Sequence, residues 1–165
     1  MTTGSITVQL GGVDLSALVD GGSELNLAGN HVPDRTGCAV DFEGMKWSLR
    51  GIHGSPEQLQ GVLTDAPLKI AGYDFPHHFF VSHQSIGHHD LILGQPFLQW
   101  FAARIDYDRN CIVKMFLWKD GDRTTKPTLS ISITDPTDPR NATTIGHSHA
   151  ARIEEVDEEE AGFSA

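Results

Sequence analysis

Asp20-Gly21-Gly22-Ser23 is the stretch of this 165-residue chain best suited to chemistry. A carboxylate ends the apolar run Ala17-Leu18-Val19, and two residues with almost unrestricted backbone angles follow it at once. Such an arrangement carries an acid out of a sheet and into a tight loop that a ligand's backbone can approach closely. Asp20 is the candidate catalytic residue, and Gly21, Gly22 and Ser23 form its loop. Seventy residues on, Asp90 precedes Leu91-Ile92-Leu93-Gly94-Gln95-Pro96-Phe97-Leu98. This reads as a short apolar strand buried on both faces, followed by a helix that Pro96 opens.

The elements that must position the acid follow from periodicity. Residues 7–10 alternate polar and apolar, Gly11-Gly12 supplies a turn, and Val13, Leu15, Ala17 and Val19 share one face. Residues 7–19 are therefore expected to form a hairpin that delivers Asp20. Segment 24–28 is too short to assign. A strand is expected over 38–42. Residues 47–50 and 58–63 flank the glycine-rich tip Gly51-Ile52-His53-Gly54 of a long hairpin. Leu68, Lys69 and Ile70 lead into a turn at 71–74, and 75–82 reads as the returning strand. Phe97, Leu98 and Phe101 give a helix near 96–102 its apolar side. Residues 104–107 and 111–118 form a last hairpin around Asp108-Arg109-Asn110, so the domain over 1–118 is mainly β.

From residue 119 the texture changes. Residues 119–165 hold ten of the 22 acidic but only five of the 12 basic side chains, with several Pro, Ser and Thr. That composition predicts an acidic, disordered tail. Residues 129–133 alternate as a strand does, without an evident partner. A net charge of −10 argues against nucleic acid as the main partner of the domain. No apolar run approaches the length of a membrane span, and no signal peptide is visible, so an intracellular, cytoplasmic protein is expected. A piece of a longer polyprotein would read the same way.

Other clusters carry less. Cys38 and Cys111 have no metal-binding spacing, and without a secretory cue no disulfide is expected. His77-His78 and His88-His89 are adjacent pairs, whose side chains leave a strand on opposite faces, so neither doublet is a natural chelate. No metal and no organic cofactor is expected. His53 in the hairpin tip reads as a solvated loop histidine, and Trp47, Trp100 and Trp118 as core or interface packing.

Ala17-Leu18-Val19-Asp20-Gly21-Gly22-Ser23 and Leu91 to Leu98, in this order and spacing, resemble the retropepsin family of aspartic proteases, most closely those of gypsy-type LTR retrotransposons. The resemblance spans about residues 5–118. It implies a closed, β-barrel-like acid-protease fold with one short helix, a homodimer when active, and Asp20 of each subunit meeting at a two-fold axis. It implies that Gly51, Ile52, His53 and Gly54 form the flap over a bound peptide, that Gly61-Val62 marks the flap's return, and that 104–118 is the closing hairpin. Two carboxylates facing one water cannot both ionise; one takes a proton from the water and the other polarises the scissile carbonyl. The substrate implied is a peptide or the parent polyprotein.

Gly21 departs from the family's Asp-Thr-Gly or Asp-Ser-Gly. The hydroxyl that bonds across to the partner loop is missing, which costs about 0.5–1.5 kcal/mol per lost hydrogen bond. Ser23 is expected to compensate by bonding the outer oxygen of Asp20. Reduced or conditional activity follows. The alternative reading is a catalytically weakened or inactive domain of the same fold, serving as a dimerisation or peptide-binding module.

Overall fold

A computed structural model describes residues 2–43, 59–109 and 112–133. The hairpin that delivers Asp20 is longer than its alternation suggested. β1 (Thr2–Leu10) and β2 (Val13–Asp20) pair antiparallel, with Thr2 opposite Asp20 and Leu10 opposite Val13. Gly11 and Gly12 turn the chain at φ 60° and 78°, left-handed angles that glycine adopts without a Cβ penalty. Leu15, Ala17 and Val19 all face the core, as their spacing requires.

The strands after β2 are β3 (Leu27–Ala28), β4 (Leu59–Ala66), β5 (Lys69–Ile70), β6 (Tyr73–Asp74), β7 (His77–Ser82) and β8 (Leu91–Leu93). With β1 and β2 they form one sheet in the order β4-β7-β3-β8-β2-β1-β5-β6. β8 inserts between β2 and β3, parallel to the first and antiparallel to the second. Asp20 therefore emerges at the end of β2, beside the point where the chain leaves β8. The sheet is a curled half-barrel. Among the described residues it stays open, with β4 and β6 at its ends, where a closed barrel was expected.

Among the described residues there are two short helices, α1 (Val32–Thr36) and α2 (Gln95–Trp100). Only α2 was expected. In α1 the signals are Pro33 in the first turn and Gly37 beyond the end at φ 77°, the usual asymmetry of helix termini. Phe97 and Phe101 bury one side of α2, their rings 4.8 Å apart, and Phe75 meets Phe101 edge-on at 5.0 Å. Trp118 is core, whereas Trp100 is 67% exposed, so of its expected roles, core or interface packing, the first does not hold.

Three other expectations change. Residues 38–42 form no strand; Asp41 alone bridges to Val62, and Val40 occupies the space that Gly61, lacking a Cβ, leaves open. The segment after the 71–74 turn does not return along β5. Tyr73–Asp74 does that, while β7 pairs with β4 and β3. The boundary placed after residue 118 falls later. β9 (Arg104–Tyr107), β10 (Val113–Leu117) and β11 (Leu129–Ile133) make a second, three-stranded sheet, with Leu129 opposite Leu117 and Ile133 opposite Val113. Leu129 and Ile133 are buried with Met115 and Leu117, so apolar burial holds this part of the expected tail in the fold. The rest of that tail, from 134, lies outside the described residues, as do Trp47, Cys111 and the flap tip.

Candidate active site

The Asp20 loop is built by two short crossings of the backbone. Ser23 N–H donates to the Asp20 carbonyl at 3.1 Å and closes a turn. Within it, Gly22 N–H donates to Asp20 Oδ1 at 3.0 Å, so the acid is oriented by its own loop. The Ser23 hydroxyl does not serve the acid as expected. Its single proton goes to the Leu25 carbonyl at 2.7 Å, which shapes the exit of the loop. Gly21 does not have a positive φ, and a Cβ there would meet nothing within 4 Å. Neither backbone angle nor packing in this chain demands glycine at that position.

The end of β8 holds the loop from outside. A Cβ on Gly94 would overlap the Leu25 carbonyl oxygen and lie 2.8 Å from that of Ser23, so only glycine lets the two segments meet. Gln95 N–H then donates to the Ser23 carbonyl at 2.8 Å, and Gln95 Nε2 to the Gly21 carbonyl at 3.0 Å.

Asn26 is the hub of this junction, and nothing in the sequence singled it out. It is the one polar side chain in the core among the described residues, 2% exposed. Oδ1 accepts from Gly94 N–H at 2.9 Å and Phe97 N–H at 3.2 Å, while Nδ2 donates to the His78 carbonyl at 3.1 Å. Backbone groups have fixed polarity, so these three bonds also fix which way the amide faces. With Ser23 taking Gln95 N–H and the Asn26 side chain taking Phe97 N–H, the first turn of α2 is satisfied although its N-cap, Gly94, has no side chain to offer. Nδ2 also donates to His77 Nδ1 at 3.0 Å, which His78 N–H reaches at 2.9 Å. Two donors on one nitrogen place the His77 proton on Nε2. Burial lowers the His77 pKa below 6.5, consistent with a neutral ring.

A second polar group stands at the other end of the β2–β8 pair. Asp90 Oδ2 accepts from Ser16 N–H at 2.8 Å, and its Oδ1 lies 2.6 Å from His31 Nε2 and 3.5 Å from Arg35 Nη1. It fastens α1 to the strand that carries Asp20. Ser16 Oγ meets His89 Nδ1 at 2.9 Å, and burial lowers the pKa of that ring too.

Of the expected site, the structure places Asp20, Gly21, Gly22 and Ser23 in one loop. Gly51, Ile52, His53 and Gly54 lie outside the described residues. Among the described residues no group of three or more His, Cys, Asp or Glu could hold a metal ion, and no helix is long and apolar enough to cross a membrane. Cys38 is a free thiol.

No family model and no curated protein matches the chain. Its structure is similar to that of the retroviral protease-like domain of Ddi1 from Leishmania major, with a TM-score of 0.51 and 21% identity. The match covers 73% of this chain and 90% of that one. Together with the curled sheet and the loop at its centre, that likeness makes the fold retropepsin-like.

Proposed function

We propose that this chain is an aspartic endopeptidase that works as a homodimer. The observation that carries the reading is the seat of Asp20: a carboxylate at the end of a core strand, aimed by Gly22 N–H in a loop braced by β8 and α2. The chain offers one such loop, so a second copy supplies the second acid. The two carboxylates share a proton and titrate as a pair around one water. The ionised member activates the water, and the protonated member polarises the peptide carbonyl. An extended peptide lies between the subunits, held by strand-like hydrogen bonds. The resemblance to gypsy-type LTR elements makes the parent polyprotein the natural substrate.

Gly21 supports a second reading, a non-catalytic dimerisation or peptide-binding domain, because no hydroxyl at 21 reaches across to the partner loop. One assay separates the two. Purified protein is incubated with a mixed peptide library at mildly acidic pH, alongside Asp20→Asn and a statine-type inhibitor. Cleavage abolished by both controls supports the protease; no cleavage at any concentration that yields dimer supports the non-catalytic reading.

A further inference from the structure

We propose that Gln95 is the positioning residue of the acid, locking the Gly21–Gly22 peptide plane that aims Asp20. The assignment rests on reading Asp20 as the reactive carboxylate, although the clamp itself is observable without any reaction. The carbonyl that Gln95 Nε2 grips at 3.0 Å and the N–H that donates to Asp20 Oδ1 at 3.0 Å belong to one peptide unit. A trans peptide is planar, with its C=O and N–H pointing in opposite directions. Fixing the carbonyl of residue 21 therefore fixes the direction of the N–H of residue 22.

This plane needs an external hold. Glycines flank it on both sides, so rotation of the whole unit meets little steric resistance. A Cβ at 21 would touch nothing within 4 Å, so neighbouring side chains do not restrain it either. Rotated by half a turn, the unit would withdraw its N–H from Asp20 and present a carbonyl oxygen to a carboxylate. Gln95 blocks that rotation from a fixed base. Its own N–H is bound to the Ser23 carbonyl at 2.8 Å, and Gly94 before it is bound to the buried Asn26. The restraint that a hydroxyl at 21 would draw from a partner loop comes here from within the same chain.

The test uses the full chain, labelled with 15N, as wild type, Gln95→Leu and Gln95→Glu. Gln95 is exposed, so both variants fold. In Gln95→Leu, Gly22 amide exchange rises about five- to tenfold, with the melting temperature unchanged. In Gln95→Glu the response depends on pH. Below about pH 4 the introduced carboxyl is protonated, donates to Gly21 and matches wild type at that pH. At neutral pH its charge faces the carbonyl and Gly22 exchange is fast. Unchanged Gly22 exchange in Gln95→Leu overturns the proposal, as does a rise spread evenly over all amides. On peptide substrates Gln95→Leu lowers kcat about tenfold at constant KM. A wild type that cleaves nothing while Gly22 responds as described sinks the protease reading and leaves the clamp standing.

Discussion

Asn26 Oδ1 accepts the Gly94 amide proton at 2.9 Å across 68 positions of sequence, joining the exit of the acid's loop to the end of the strand inserted beside it. Asn26→Ala would leave the buried Gly94 and Phe97 amides without their acceptor. A loss of about 3 kcal/mol in unfolding free energy is expected from urea denaturation. A loss under about 0.5 kcal/mol would show that water replaces the amide at little cost.

Gly94 and Gly21 predict opposite outcomes for the same change. Gly94→Ala drives a methyl group into the Leu25 carbonyl and should cost about 3 kcal/mol or prevent folding. Gly21→Ala enters open space without a left-handed backbone angle and should stabilise by about 0.5 kcal/mol. Thermal melts of the two variants check both. Gly21→Thr should in addition tighten the dimer, which sedimentation would read.

Stability should fall as the pH drops from neutral. Burial depresses the pKa of His77 and of His89 below the ordinary 6.5 in the folded chain. The unfolded chain then binds more protons at these rings, so unfolding is favoured as the pH falls below 6.5 and through the folded values. Well above 6.5 both rings are neutral in either state and the effect vanishes. Urea midpoints measured between about pH 7.5 and 5, where carboxylates stay ionised, should decline on the acid side. The decline should shrink in His89→Gln; an identical slope in that variant would remove His89 from the account.

A chain ending at residue 120 lacks β11 and exposes Met115 and Leu117, both fully buried in the fold. Removing the buried Leu129 and Ile133 side chains should cost about 3 kcal/mol or more. A truncated chain that melts with the full one would mean that β11 adds nothing to the second sheet.

Much of the fold could be read from local pattern, and the failures share a cause. β2, β8 and α2 announce themselves because their signals are internal: alternation to Val19, an unbroken Leu91-Ile92-Leu93, and Pro96 with Phe97 and Phe101 at helical spacing. Residues 38–42 have strand-like composition, but among the described residues only Asp41 finds a partner, in an isolated bridge to Val62. Residues 129–133 have the right alternation, and their partner was hidden by an eleven-residue connection. Asp20 was legible from its setting. Asn26 was not, since the groups it serves lie 51 to 71 positions away and its own neighbours carry no trace of them. The role expected of Ser23 failed for a simpler reason: a hydroxyl has one proton, and here the Leu25 carbonyl takes it.

The insertion of β8 between β2 and β3 also sets an order of events in time. A nascent chain displays its acid within the first hairpin, yet the slot beside that hairpin belongs to a segment the ribosome has still to emit. Synthesis at about 5–20 residues per second leaves several seconds in which the carboxylate exists without its brace. Whatever this acid does, it does only after β8 and α2 have followed it off the ribosome, so the threading itself postpones activity until those segments can insert.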